Sequence, residues 1–190
     1  MSRPSVDDII ARIEPLLTQA AKGDQPVVLM TCGLAGSGKS TLAKAVLVHF
    51  SEYERLSIDE IIFKKHGLYG VDYPANEEVY QAYLQEAGDI YMKNFQNLLT
   101  ARKNIILDRS FYAREDRNEF RAIIEAHGSR RVLAYLRATD KEAVWQSICE
   151  RSVKQKDANS AYDISRKMFE MYWSGFEDPA GDDEIVLNVL

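Results

Sequence analysis

Apolar residues along this chain follow two alternating patterns. Short, nearly uninterrupted apolar runs predict buried strands, and longer stretches with an apolar residue every three or four positions predict helices. The predicted strands are residues 27–31, 55–58, 104–107, 131–136 and 185–189. The predicted helices are residues 5–20, 41–50, 79–99, 115–127, 141–153 and 163–176. The first helix has a capping-box start at Ser5 and Asp8, and Pro15 predicts a kink there or two shorter pieces.

The order of these elements predicts the fold class. Strands that alternate with helices pair in parallel through right-handed crossovers, which gives an α/β sheet with helices on both faces. A chain of 190 residues is expected to form one such domain. Three segments stand apart from the repeating pattern: an extra N-terminal helix within residues 1–24, an insertion at 63–75 that contains glycine and proline, and a polar segment at 151–160.

Charge and composition narrow the range of partners. Lys and Arg number 24 against 29 Asp and Glu, and the resulting net charge of −5 disfavours tight binding to nucleic acid. No apolar run approaches the roughly 20 residues of a membrane span, and the first residues carry no readable secretory signal. Cys32 and Cys149 have neither metal-binding nor redox spacing. We therefore expect a cytoplasmic protein without membrane contact.

Residues 33–40 read GLAGSGKS and match the phosphate-binding pattern G-x-x-x-x-G-K-[ST] at every fixed position. In such a loop the glycines let backbone N–H groups turn inward, Lys39 reaches the β- and γ-phosphates, and the Ser40 hydroxyl holds Mg²⁺. The alternative is a glycine-rich turn with an exposed lysine. The predicted nucleotide-binding residues are Gly33, Leu34, Ala35, Gly36, Ser37, Gly38, Lys39, Ser40 and Thr41.

Two aspartates follow predicted strands, at the edge where open α/β sheets bind their ligands. Asp59 beside the cradle could orient a hydroxyl for in-line attack, although Asp is also a favoured helix N-cap. Asp108 is followed by Arg109, and the two side chains could form an ion pair. Motor ATPases carry a glutamate that activates water at the position of Arg109, so that glutamate is missing here. The Asp-Glu pair at Glu60 lies on a strand poorly placed for magnesium, and no Asn-Lys-x-Asp guanine motif occurs. These features favour phosphoryl transfer to an acceptor other than water.

The motifs GLAGSGKST, SIDE and IILDRSF, followed by Arg151 before a polar segment, resemble a family of small P-loop kinases. This family includes chloramphenicol phosphotransferase, zeta toxins and the 5′-kinase domain of polynucleotide kinases. The resemblance covers residues 27–190 and leaves the first helix outside. It implies a three-layer P-loop sandwich with a five-stranded parallel sheet in the order 2-3-1-4-5. It also implies ATP and Mg²⁺ as cofactors and a lid at residues 151–160.

The resemblance also implies roles for single residues. Lys39, Asp59 and Arg151 would be catalytic, with Asp59 as the base for the acceptor hydroxyl and Arg151 closing on the phosphates. Ser40 and Asp108 would lie beside Mg²⁺. For the lid, the alternative is an ordinary solvated loop with charged side chains.

The acceptor is expected to be a hydroxyl of a small molecule. Tyr69 and Tyr73 of the insertion are candidate contacts, as are Arg109 and Arg117, which could instead form ion pairs with the acids at 115, 116 and 119. Polynucleotide kinases carry an arginine three residues after the catalytic aspartate, where this chain has Ile62, and this departure weakens a nucleic-acid acceptor. The alternatives are a polynucleotide or nucleoside kinase, and a non-catalytic ATP-binding regulatory protein.

Overall fold

A five-stranded sheet forms the centre of the computed structural model, which describes residues 4–18, 25–153, 156–158 and 162–189. Every neighbouring pair of strands is parallel, and the strand order is β2-β3-β1-β4-β5. This architecture confirms the predicted fold class and strand order. The strands are β1 Val27–Cys32, β2 Tyr53–Ser57, β3 Asn104–Asp108, β4 Arg130–Arg137 and β5 Glu184–Asn188.

Seven helices surround the sheet in the described part of the chain. Helix α3 was largely missed by the sequence pattern, and the predicted insertion at 63–75 begins inside it. Helix α1 runs unbroken through Pro15. Proline has no N–H to donate to the carbonyl oxygen of Ala11, but both residues are exposed, so water can bind that oxygen. The predicted extension of α1 to residue 20 lies outside the described residues. The helices are α1 Val6–Leu17, α2 Lys39–His49, α3 Ile58–His66, α4 Glu77–Thr100, α5 Arg114–Ala126, α6 Lys141–Ser152 and α7 Arg166–Gly175.

The central strand β1 is buried on both faces, and its side chains alternate between two hydrophobic cores. Val27 and Leu29 belong to the core formed with α1 and α2, whereas Val28 and Met30 belong to the core formed with α4 and α5. This alternation follows from the two-residue period of a strand, and it explains why the run in the sequence is continuously apolar.

The extra N-terminal helix is part of the domain core. Ile13 and Leu17 are almost inaccessible to water and pack with α2 and the sheet. The Tyr53 hydroxyl donates a hydrogen bond of 2.7 Å to the Leu17 carbonyl oxygen, which ties the end of α1 to β2. Among the residues that the structure describes, no helix is both long and apolar enough to cross a membrane.

Strand register brings the candidate site together at one edge of the sheet. Asp108 at the end of β3 lies opposite Thr31 of β1 and opposite Ser57 of β2. Residue 33 begins the glycine-rich loop directly after β1, and α3 with Asp59 begins directly after β2. The loop and both aspartates therefore share the carboxyl edge, as the sequence predicts.

Candidate active site

The loop between β1 and α2 has the backbone geometry of a phosphate cradle. Gly38 caps α2 in a left-handed conformation with φ of 100°, so that the helix starts at Lys39 with its free N–H groups facing the loop. Gly36 has φ of 84°, and a Cβ there would lie 3.0 Å from the Ile148 side chain on α6. Glycine is therefore required where α6 packs against the loop.

Lys39 spans the mouth of this loop. Its Nζ donates a hydrogen bond of 2.8 Å to the carbonyl oxygen of Leu34. Burial lowers the pKa of the Lys39 ammonium, and the nearby Asp108 carboxylate opposes that shift. A cation that is poorly hydrated and only partly balanced by carboxylate is suited to bind the additional negative charge of a phosphate.

Ser40 and Asp108 form a pair that fits a magnesium ion. The Ser40 hydroxyl donates to Oδ1 of Asp108 over 3.3 Å, so a hydroxyl oxygen and a carboxylate oxygen meet beside the cradle. Mg²⁺ prefers oxygen ligands and is commonly held by one or two protein groups together with substrate phosphates. The donor set therefore matches the predicted magnesium position.

Arg55 is a site residue that the sequence analysis did not identify. Its Nη2 and Nε donate to Oδ2 of Asp108 over 2.6 Å and 3.1 Å, and its Nη1 donates to Glu60 over 2.6 Å. The Arg55 and Asp108 side chains are only 6% and 3% exposed. Asp108 thus pairs with Arg55 and not with Arg109, which corrects the alternative considered from the sequence. Because Arg55 occupies Oδ2, Oδ1 remains directed toward Ser40.

Asp59 lies in the first turn of α3 and does not cap it. The N-cap is Ser57, whose hydroxyl accepts a hydrogen bond of 3.4 Å from the Glu60 backbone N–H, so the capping alternative for Asp59 is wrong. Asp59 is exposed to water. Even so, the surrounding protein raises the pKa of its carboxyl, first by limiting hydration and then through repulsion by Asp108. Lys39 and Arg151 act in the opposite direction.

Arg151 lies in the last turn of α6, as the basic residue nearest the end of that helix. Its positive charge contributes to lowering the pKa of both Lys39 and Asp59. Lys39, Asp59, Asp108 and Arg151 thus influence one another electrostatically, and their catalytic roles stay predictions.

Only part of the predicted lid at 151–160 is described. Residues 154, 155, 159 and 160 lie outside the described residues. Within the described part, Lys156 forms an ion pair of 2.6 Å with Asp163, and Asp157 lies 3.6 Å from Lys44 on α2. Whether this segment closes over nucleotide stays a prediction.

The two candidate tyrosines belong to an aromatic cluster on the Asp59 side of the cleft. Tyr69 makes edge contacts with Tyr73, Tyr80 and Tyr162, and Tyr80 stacks on Tyr162 with 4.5 Å between ring centroids. Tyr73 is 7% exposed, and its hydroxyl has no hydrogen-bond partner in the part of the chain that the structure describes. The negative charge of Asp59 contributes to a raised pKa at both Tyr73 and Tyr80.

The two candidate arginines have different surroundings. Arg117 is 1% exposed, and its Nε donates to Asp182 over 2.8 Å, while its Nη1 donates to the carbonyl oxygens of Phe111 and Glu177. A guanidinium so enclosed holds the segment before β5 in place, so the prediction that Arg117 contacts the acceptor is wrong. Arg109 lies in a groove beside α4.

Comparisons with known proteins agree with this geometry. A family model described as an AAA domain matches residues 28–179, which is most of the chain, and the chain belongs to this P-loop kinase-like family. A search of curated protein sequences finds no significant match.

Solved structures share the fold at low sequence identity. A protein of Chloroflexus aurantiacus that is provisionally described as a kinase has a TM-score of 0.66 at 16% identity, over 86% of this chain and 88% of that one. Kti12 of Chaetomium thermophilum, solved in complex with ADP-AlF3, has a TM-score of 0.56 at 16% identity, over 85% and 88%. A chain of the PezAT toxin-antitoxin system of Streptococcus pneumoniae has a TM-score of 0.56 at 19% identity, over 77% and 62%. The fold is therefore that of P-loop nucleotide-binding proteins.

Proposed function

We propose that this protein transfers the γ-phosphate of MgATP to a hydroxyl group of a small molecule, with Asp59 as the general base. The observation that carries the proposal is the position of Asp59 at the end of β2. There its carboxyl is subject to the charges of Asp108, Lys39 and Arg151, and the residue is exposed to water. A protein that only binds nucleotide has no need of a carboxylate at this point.

In the proposed reaction the acceptor oxygen attacks the γ-phosphorus of ATP. A new oxygen–phosphorus bond forms as the bond to the β,γ-bridging oxygen breaks, and ADP leaves. The hydroxyl proton passes to Asp59, whose raised pKa brings the carboxyl closer to the range in which a base works at neutral pH. Lys39 and Arg151 stabilise the charge on the phosphoryl group during transfer. Bound Mg²⁺ would neutralise phosphate charge, held by Ser40 and by the Asp108 oxygen that faces it.

The residues around the cradle favour transfer over hydrolysis. Arg109 follows Asp108 in the position where motor ATPases carry the glutamate that activates water. Glu60, the other acid near the site, is held by Arg55 and lies 3.5 Å from Lys64. Neither Arg109 nor Glu60 can therefore act as a general base that activates water. Asp59 is the proposed general base for the acceptor hydroxyl.

The net charge of −5 and the side chain at position 62 favour a small acceptor over a nucleic-acid end. Ile62 is 5% exposed and packs with Tyr73 and Ala87, so this position is part of the apolar packing and offers no cation to a phosphate backbone. A polynucleotide acceptor would require basic contacts elsewhere on the cleft.

The test is a screen with γ-labelled ATP that measures labelled product and not loss of ATP. The panel would contain hydroxylated metabolites, hydroxylated antibiotics, nucleosides and the 5′ ends of DNA and RNA. We expect label on one class of small molecule, and no label with Lys39→Ala. Binding of MgATP without transfer to any member would support the non-catalytic alternative, and labelling of nucleic-acid ends would support the polynucleotide kinase alternative.

A further inference from the structure

A groove of about 430 Å³ lies between α4 and the ends of β2 and β3. Its lining includes Ile58, the residue before Asp59, and Arg109, the residue after Asp108. The groove therefore begins beside the candidate base and is separate from the phosphate cradle.

Tyr91 lines this groove and carries a buried hydroxyl. It is 1% exposed, and its hydroxyl forms no hydrogen bond with any residue that the structure describes. A buried hydroxyl without a partner costs roughly 1–3 kcal/mol, so a ligand oxygen that accepted a hydrogen bond from it would remove that cost. Tyr91 and Arg109 both line the groove. Burial raises the pKa of the Tyr91 hydroxyl, and the positive charge of Arg109 opposes that rise.

Arg109 is held rigidly and only weakly neutralised. Its guanidinium lies 5.8 Å from the ring centre of Phe111 and 5.3 Å from that of Phe120, and these aromatic faces fix its plane. Its nearest carboxylate among the described residues is Asp116, at 3.6 Å. A preorganised guanidinium with one long ion pair can accept a further anion.

Gly88 leaves space in the groove where a side chain would otherwise project. It lies in the middle of α4, where glycine lowers helix stability relative to alanine. A Cβ at this position would have no atom within 4 Å, so packing does not require the glycine. The missing side chain keeps the groove open.

We propose that this groove binds an anionic oxygen group of the acceptor, with Arg109 as its ion-pair partner and the Tyr91 hydroxyl as a second donor. This inference rests on the proposed function and specifies its substrate class: a small hydroxylated molecule that carries a carboxylate or a phosphate ester. The rim carries Gln85 and Asp89, which are hydrogen bonded to each other over 3.3 Å. The negative charge of Asp89 at the rim disfavours an anion there and directs it toward Arg109.

Anion binding can be measured without phosphoryl transfer. The protein would be saturated with Mg²⁺ and a non-hydrolysable ATP analogue to fill the cradle, and the Nε–H signal of Arg109 would be followed by ¹⁵N NMR. Acetate would be titrated in one arm and methyl phosphate in the other. The signal is identified by its loss in Arg109→Gln. Arg114→Gln, an exposed arginine nearby, is the matched control.

We expect a saturable shift of the Arg109 signal with one of the two anions, which identifies the anionic group. Tyr91→Phe should weaken this binding by about tenfold through loss of a hydrogen bond to a charged group. Its melting temperature should stay the same or rise, because the hydroxyl removed has no partner in the protein. No shift with either anion, or unchanged anion affinity in Tyr91→Phe, would overturn the proposal.

Transfer assays separate this inference from the proposed function. Sorbitol, sorbitol 6-phosphate and gluconate have similar carbon skeletons and differ in charge, and other acceptors can be compared in matched neutral and anionic pairs. We expect the anionic member of the active pair to be preferred, and Arg109→Gln to raise its KM far more than it lowers kcat. Efficient transfer to a neutral acceptor that is unaffected by Arg109→Gln would contradict the anion site and leave the proposed reaction intact.

Discussion

Arg55 holds one oxygen of Asp108 through two hydrogen bonds, of 2.6 Å and 3.1 Å, and leaves the other oxygen facing Ser40 at 3.3 Å. The strand register explains the contact: Arg55 lies opposite Ile106, so Asp108 is its diagonal neighbour on the same face of the sheet. Arg55 therefore fixes the orientation of the Asp108 carboxylate before any magnesium binds. It acts as a positioning residue for the proposed metal site.

Substitution of Arg55 tests this relationship. Arg55→Met should lower the free energy of unfolding by about 3–5 kcal/mol, because it leaves the buried Asp108 carboxylate without its partner. The double variant Arg55→Met, Asp108→Leu should recover much of that loss and still bind MgATP weakly. Chemical denaturation and calorimetry give the two quantities. Full magnesium-dependent affinity in the double variant would show that Asp108 does not serve the metal.

Helix α1 should stabilise the domain although the matching family model begins only at residue 28. Ile13 is completely buried against α2 and the sheet, so Ile13→Ala should cost about 2–5 kcal/mol of unfolding free energy. Leu16→Ala is the matched control, since Leu16 is 36% exposed and should cost much less. Equal effects of the two substitutions in denaturation curves would mean that α1 is not packed as described.

The pKa of Asp59 should be visible in both activity and stability. Because the pKa of Asp59 is raised, its basic form is lost at a higher pH than that of an ordinary aspartate. On the acid side, kcat/KM should therefore begin to fall at a higher pH than an unperturbed aspartate with a pKa of about 3.9 would give. A raised native pKa means that the folded state binds more protons than the unfolded state, so the ionised Asp59 destabilises the fold at neutral pH. Asp59→Asn should therefore raise the melting temperature at pH 7, and the gain should shrink as pH falls toward 3.9. A gain that grows on acidification would contradict the shift.

Arg151 should act mainly on the transferring phosphoryl group. Arg151→Ala should lower turnover by on the order of 10²- to 10⁴-fold, with a much smaller loss of ATP affinity. Lys167→Ala, an exposed cation on α7, is the control for a general charge effect. Hydrogen exchange at residues 152–160 should slow when a non-hydrolysable ATP analogue and an acceptor are bound. Unchanged exchange together with a fully active Arg151→Ala protein would identify an ordinary surface loop.

The strands and most helices could be predicted because their signals are local. Parallel strands covered on both faces read as continuous apolar runs, and Lys39, Asp59 and Asp108 are placed by the strand ends that precede or follow them. Helix α3 gave a weaker signal: it is nine residues long and has one fully buried side chain, Ile62. Its cap Ser57 lies inside the predicted second strand, which hid the start of the helix.

The sequence does not reveal the roles of Arg55 and Arg117, because both pair with residues far away along the chain. The sequence suggests that Arg117 contacts the acceptor or pairs with nearby acids, but its partner is Asp182, 65 residues later. Arg55 reaches Asp108 across 53 residues, and no local pattern reveals that pairing. The sequence offers one signal for Arg55: it is a charged residue inside a predicted strand. A charge that is buried in a sheet requires a partner, so its position indicates an ion pair.

The most direct test of the account is a single-turnover measurement of phosphoryl transfer from γ-labelled ATP to an acceptor found in the screen. The parent and Asp59→Asn would be compared with MgATP affinity measured in parallel by calorimetry. Removal of the proton acceptor should leave MgATP binding unchanged and slow transfer by on the order of 10²- to 10⁴-fold. Transfer at the parent rate in Asp59→Asn would contradict the assignment of Asp59 as the base.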